Sequence, residues 1–204
     1  MSSGAPTPTD ALAGIVPRWE WRTFGDSFGS AETLLAAQEP ERAQESDEIY
    51  VLSQERDVSV KVRDGLMDVK VLEAVNDDGL EQWRPVLKSS FPLGAADVAT
   101  LLSALGVSGP ETTRETYTLD QVLDEIVGPN ESLAAVDVHK RRAYYRIGGS
   151  MTELSEISSG GRSSRTLVVE GEDPELISAT VRELGLQDRP NVCLARGLKT
   201  MLGL

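Results

Sequence analysis

The sequence predicts an α+β protein whose strands pair antiparallel, and three observations predict it. Asp64-Gly65 separates two alternating runs within residues 58–72, VSVKVRDGLMDVKVL, a strong short-range signal for a two-residue hairpin. Gly148-Gly149 separates a long alternating run, 134–147, from a second one, 150–157. Two apolar stripes at helical spacing end at glycine: Val98, Leu101, Leu102 and Leu105 before Gly106, and Leu176, Ile177, Thr180, Val181 and Leu184 before Gly185.

In chain order, residues 1–16 read as a loose tail, with neither the basic start nor the apolar run of a signal peptide. Residues 17–204 then form one domain, since no linker rich in Gly, Pro or Ser divides them. RWEWRTF, 18–24, alternates as a strand, with Trp19 and Trp21 on the face expected to pack against a helix. A short helix over 30–38 is capped by Ser30 and ends before Pro40; 41–47 reads as an acidic loop, and 48–54 as a strand.

The 58–72 hairpin sets Val62 opposite Met67 and Val60 opposite Val69 on one face. Arg63 beside Leu66, Lys61 beside Asp68 and Ser59 beside Lys70 share the other. Taken alone, this is a surface hairpin with its charged face in water. Asn76-Asp77-Asp78-Gly79 is a turn, and 80–88 is a strand that Pro85 marks as an edge. A helix over 94–105 follows; 114–127 reads as a strand running into a short helix that ends at Gly128-Pro129. Gly160-Gly161 turns the chain into a strand over 165–172. Asp173-Pro174-Glu175 then opens a helix with cap, first-turn proline and first-turn acid. Pro190-Asn191 opens the last helix, with Leu194, Leu198 and Met201 on one side.

Composition narrows the function. The 204 residues carry a formal net charge of −13, which argues against DNA, RNA or an anionic membrane as partner. The single cysteine, Cys193, rules out an intrachain disulfide framework and a Cys-based zinc site. No run approaches the roughly 20 apolar residues of a membrane helix, so the expected location is cytoplasmic. His139, the only histidine, alternates away from Lys140 and reads as a surface residue. No Ser/His/Asp or Cys/His constellation stands out.

What does stand out is a set of strands with ionisable residues at spacing two: Glu20-x-Arg22, Lys61-x-Arg63, Lys140-x-Arg142 with Arg146 beyond, and Glu170-x-Glu172. In a closed sheet these faces would point inward. A polyphosphate would compensate the cations and a divalent metal the carboxylates.

In this order the motifs resemble the CYTH domain, or triphosphate tunnel metalloenzymes, from about Arg18 to the C-terminus. Arg18-x-Glu20-x-Arg22 takes the place of the family's ExExK. Lys61-x-Arg63, Lys70, Lys140-x-Arg142 with Tyr144, Glu153, and Glu170-x-Glu172 follow in the family's sequence. The resemblance implies an antiparallel β-barrel, a tunnel of about eight strands, with helices packed outside. It implies a triphosphate or polyphosphate ligand clamped by Arg22, Lys61, Arg63, Lys140, Arg142 and Arg146. Mg²⁺ or Mn²⁺ would be held by Glu20, Glu170 and Glu172, and Glu153 and Lys70 would be the catalytic candidates, Glu153 orienting the attacking water. The activity expected is a metal-dependent triphosphatase or related phosphotransfer, with adenylate cyclisation as a family variant and a homodimer as a possible assembly. Two alternatives stand beside it. Arg18 replaces the family's first glutamate, which points to a non-catalytic binder of phosphorylated ligands; the acidic exterior points to a protein-interaction module.

Overall fold

The computed structural model describes residues 14–109 and 114–204; of the tail expected over 1–16, residues 1–13 lie outside them. Eight strands close into an antiparallel barrel: β1 (Arg18–Gly25), β2 (Arg42–Ser53), β3 (Ser59–Arg63), β4 (Leu66–Val75), β5 (Glu81–Ser90), β8 (Leu133–Ile147), β9 (Ser150–Ser159) and β10 (Arg162–Gly171). Around the wall they run β1-β10-β9-β8-β2-β3-β4-β5 and back to β1. Two short strands, β6 (Leu93–Gly94) and β7 (Thr116–Tyr117), pair with each other outside it.

The β3–β4 hairpin shows how local chemistry sets the wall. Asp64 and Gly65 both take left-handed φ, 52° and 72°, which this turn requires at both central positions. The register follows: Val62 faces Met67, Val60 faces Val69, Lys61 faces Asp68 and Ser59 faces Lys70. The sidedness is the reverse of a hairpin with its charges in water. The valines and Met67 are buried against Val98, Leu101 and Leu105 of helix α2 (Ala95–Leu105) on the outside of the barrel. The charged face is left to the interior.

The same inversion holds across the barrel. Trp21, Leu167, Val169, Tyr145 and Ile147 face outward and pack with Leu35 of α1 (Ser30–Ala36) and with Ile177 and Val181 of α4 (Pro174–Glu183). Asp173 caps α4 through the Glu175 N–H at 2.9 Å. Between α2 and α4 in the chain, Leu119–Gln121 (α3) begins with a Thr118–Gln121 capping box and continues as a π-helical turn, Val122–Val127. A third cluster lies inside the barrel. Tyr50, Leu52, Val138 and Ile157 point inward at one end and meet Leu194 and Leu198 of α5 (Leu194–Leu202).

Four local expectations change. Residues 42–47 are not a loop but the first half of β2, paired residue by residue with β8 from Arg42↔Tyr144 to Ser53↔Leu133. Both faces of that half are polar, so no apolar period betrays it. Pro85 marks no edge: in the closed wall it stands opposite Lys70 at a bulge, where a missing N–H is tolerated. Gly29, not Ser30, occupies the N-cap of α1, and the Ser30 hydroxyl donates to the Leu184 carbonyl at 3.2 Å. The last helix begins at Leu194 rather than at Pro190-Asn191. Asn191 is used differently: its Oδ1 accepts the Arg22 N–H at 2.7 Å and its Nδ2 donates to the Gly79 carbonyl at 2.8 Å. With Val192 N–H donating to the Arg22 carbonyl at 2.7 Å, this tethers the chain across β1 just before α5.

Candidate functional site: a basic cavity inside the barrel

The interior left open by α5 is a cavity of about 400 Å³. Eight cationic side chains line it (Arg18, Arg22, Arg42, Lys61, Arg63, Lys70, Lys140 and Arg142) against three carboxylates, Glu20, Glu153 and Glu170. They come from seven strands because every second residue of each faces in. β1 gives Arg18, Glu20 and Arg22; β2 gives Arg42, Gln44 and Tyr50; β3 gives Lys61 and Arg63; β4 gives Lys70. β8 gives Lys140, Arg142 and Tyr144; β9 gives Glu153, and β10 Glu170. A positive cavity thus sits inside a protein of net charge −13.

The deepest part is organised by a residue that sequence reasoning passed over. Glu48 on β2 has no side-chain exposure. It accepts from Arg142, from Ser46 Oγ at 3.0 Å and from Tyr50 Oη at 2.6 Å, with Arg63 at 3.5 Å and Lys140 Nζ at 3.8 Å. Burial works against its charge, but Lys140, the Tyr50 hydroxyl and Arg142 prevail and hold the carboxyl at about 2. Lys140 donates to Tyr50 Oη at 2.7 Å, and burial depresses its pKa well below the usual lysine range despite Glu48. Lys61 is lowered too, by burial, with Glu48 and Asp68 opposing. Tyr50 is raised, by burial and by the charge of Glu48. The available signal for Glu48 was its alternation with Tyr50 and Leu52 in one strand.

A second group forms where β1 meets β10. Glu20 stands directly across from Glu170. Arg22 Nε donates to Glu20 at 2.9 Å, and Arg18 Nη1 donates to Glu170 at 3.1 Å. Burial opposes the charge of Glu20, but Arg22 and then Lys70 and Lys140 hold its pKa down. Glu170 is raised, by burial and by Glu20. Glu153 accepts from Ser155 Oγ at 2.5 Å and lies 3.8 Å from Arg142 Nε.

The structure brings together Glu20, Arg22, Lys61, Arg63, Lys70, Lys140, Arg142, Glu153 and Glu170, as the sequence pattern implies. Two expected residues stand apart. Glu172 lies past the end of β10, where the chain leaves the wall for Asp173 and α4, and is exposed. Arg146 is exposed near the last residue of β8, where Nε donates to Glu41 at 3.2 Å. Arg42 is gained, and it meets Tyr144 of the second-half motif: the guanidinium lies over the ring at 4.0 Å, and the Tyr144 hydroxyl donates to Gln44 at 3.2 Å. His139 is on the outside, with Nδ1 2.8 Å from Asp47.

The fold is a closed antiparallel barrel of eight strands with helices packed outside, as the resemblance implies. Scanned against protein families, the chain matches none, and no curated protein matches it by sequence. Among solved structures it is similar in chain path to a conserved hypothetical protein of Pyrococcus furiosus (13% identity, 87% of this chain and 98% of that one, TM-score 0.48). It is also similar to a candidate adenylate cyclase of Bacillus halodurans (13%, 86% and 93%, 0.47). A third is the Hippeastrum protein HpAC1, described as having a dominant triphosphatase activity (16%, 83% and 88%, 0.44).

The resemblance implies a divalent ion. Among the described residues no group of three or more His, Cys, Asp or Glu side chains gathers into a metal cluster. The donors at hand are the facing carboxylates Glu20 and Glu170, each engaged by an arginine. Mg²⁺ takes one or two carboxylates and completes its shell with water and phosphate oxygens. Glu20 and Glu170 would be the pair to hold such an ion, shared with a ligand. No helix among the described residues is long and apolar enough to cross a membrane.

Proposed function

We propose that the protein binds a linear triphosphate or polyphosphate inside its barrel and hydrolyses it with the help of a divalent ion. One observation carries the reading: eight cations from distant strands converge on a single cavity with too few carboxylates to balance them. Enclosed charge of one sign is costly unless a ligand of the other sign enters. The volume, about 400 Å³, suits a small molecule.

In this reading Arg63, Arg142 and Arg22 present planar donor forks to phosphate oxygens, and Lys61, Lys70 and Lys140 add point charges. Glu48 keeps Arg142 and Lys140 oriented before the ligand arrives. Glu20 and Glu170 would hold Mg²⁺ or Mn²⁺, which would supply Lewis-acid polarisation of a phosphoryl oxygen. Glu153 would accept a hydrogen bond from the attacking water and align it. Purified protein incubated with tripolyphosphate, ATP and thiamine triphosphate, with Mg²⁺ or Mn²⁺, should release phosphate from at least one. Lys61→Ala with Arg142→Ala should abolish that release. Absence of turnover on every substrate with either metal would refute the hydrolase reading.

A second reading has its own observation. Arg18 pairs with Glu170 and so competes for one of the two carboxylates a metal needs. A protein that binds phosphate chains without turning them over would show thermal stabilisation by tripolyphosphate and no phosphate release.

A further inference from the structure

One stretch of the cavity lining is not built for phosphate. Helix α5 plugs one end of the barrel, with Leu194 and Leu198 among Tyr50, Leu52, Val138 and Ile157. Followed away from that plug, β2 ends at Arg42 and β8 reaches Tyr144, its partner in register. Arg42 is exposed there and lines the cavity, which makes that end a mouth. Away from α5 and the aromatic rings packed on it, the lining is charged except for Ser59 and one patch: Gln44, Tyr144 and Met151, from β2, β8 and β9, beside Arg42.

The patch is flat and has hydrogen-bonding capacity to spare. The Arg42 guanidinium lies over the Tyr144 ring at 4.0 Å and makes no ion pair among the described residues. One face of its plane is on the ring, and the other is left to the mouth. The Tyr144 hydroxyl is spent on the Gln44 carbonyl at 3.2 Å, which leaves the Gln44 amide nitrogen as a donor. A guanidinium plane stacks on the face of a neutral aromatic group, and an amide beside it can bond the edge of that group. The spacing is that of a head group on a phosphate chain. Lys140, Arg142 and Tyr144 face inward from β8 at successive two-residue steps of about 7 Å. A chain whose phosphates engage Lys140 and Arg142 brings its next group to Tyr144 and Arg42.

We propose that Arg42, Tyr144 and Gln44 form a seat for a neutral heteroaromatic base, and that the ligand is a nucleoside triphosphate with its base at the mouth and its terminal phosphate toward α5. The guanidinium also selects against a cationic head, so the thiazolium of thiamine triphosphate would meet like charge there. Inorganic tripolyphosphate leaves the seat empty. This rests on the reading of the cavity as a phosphate-chain site.

The test uses the whole protein and calorimetry without divalent metal, so that binding and not turnover is read. Methyl triphosphate is the reference, because it carries the charge of ATP without a base. ATP should bind wild-type protein about tenfold more tightly than methyl triphosphate, as stacking of one base does, and thiamine triphosphate should bind no more tightly than the reference. Arg42→Lys keeps the charge and loses the plane, and it should all but remove the preference for ATP. Attraction between the cavity and the phosphates is common to both ligands and cancels in that ratio. Should the variant fold poorly, the wild-type ranking decides alone. If wild-type protein binds ATP and methyl triphosphate equally, if thiamine triphosphate matches ATP, or if Arg42→Lys keeps the preference, the base seat is overturned and the cavity reading survives. If no phosphate compound binds at all, tripolyphosphate included, both fall.

Discussion

Replacing Glu48 with glutamine tests the interior electrostatics most directly. Glu48 is fully enclosed and its carboxyl is held at about 2 instead of the ordinary 4.5. At about 1.4 kcal/mol per pKa unit the depression corresponds to about 3 kcal/mol of stability, and to about 2 once screening by cavity water is allowed for. The direction follows from the sign. A carboxyl whose pKa is lowered by folding stabilises above its unfolded value and loses that contribution as pH falls through its folded value. Glutamine keeps the shape and one acceptor oxygen but not the charge that balances Lys140, Arg142 and Arg63. Urea unfolding at pH 7 should therefore show Glu48→Gln about 2 kcal/mol less stable than wild type, with an unchanged slope against denaturant. The gap should be nearly whole at pH 5 and should close progressively between about pH 4.5 and pH 2. A gap of the same size at pH 2.5 and pH 7 would refute the reasoning, because glutamine would then be disrupting packing rather than charge.

Other outcomes follow from the same geometry. Arg18→Glu frees Glu170 and adds a carboxylate beside it, so Mn²⁺ should bind at least tenfold tighter by calorimetry; an unchanged affinity would remove the β1–β10 carboxylates as the metal donors. Gly197→Ala forces a Cβ to within 2.1 Å of the Phe24 ring in a filled barrel end. It should cost about 1–3 kcal/mol in urea unfolding, and a neutral result would mean that α5 does not plug the barrel tightly. Lys140 and Lys61 are held below the usual lysine range and Glu170 above the usual carboxylate range. A polyanion raises all three, so tripolyphosphate binding near neutral pH should take up protons. Calorimetric binding enthalpies should then vary with the ionisation enthalpy of the buffer, and buffer-independent enthalpies would contradict it.

Much of this architecture was legible because local chemistry and fold agree. Asp64-Gly65 could serve only a tight hairpin, and Asp173-Pro174 only a helix start, and both formed as read. The register of the hairpin placed Lys61, Asp68 and Lys70 on one face before any wall was known. Which side of that face would meet water was not legible. It depends on α2, 25 or more residues later in the chain, covering the valines from outside. Glu48 escaped notice because β2 begins with polar residues on both faces: Glu45 and Asp47 look outward while Ser46 and Glu48 look in. Glu172 misled for the opposite reason. Alternation carried it inward with Glu170, but the strand stops at Gly171 and the chain turns to α4. The plug was invisible as such, since the pattern of α5 is that of any amphipathic helix, and only the closed wall shows that its apolar side faces into the barrel.

The distribution of partners inside the cavity also says which cations the fold reserves. Near the closed end, charge is matched: Glu48 serves Arg142, Lys140 and Arg63, and Glu20 serves Arg22. Such pairing lets a cation stay buried before any ligand is present, and it fixes the planes of the guanidinium groups. For other cations the match is looser. Lys61, paired in register with Tyr50, makes among the described residues one ion pair, to Asp68 at 3.8 Å, and Arg42 leans on the Tyr144 ring. A ligand need not break the Glu48 network to bind; it can complete the shells of the under-matched cations while the matched ones hold the geometry. That division accounts for a buried carboxylate in a site otherwise suited to anions. Glu48 weakens the attraction slightly and in return opposes the loss of charge that burial imposes on Lys140, and it keeps the deepest cations ordered and close together, which preorganisation for a phosphate chain requires.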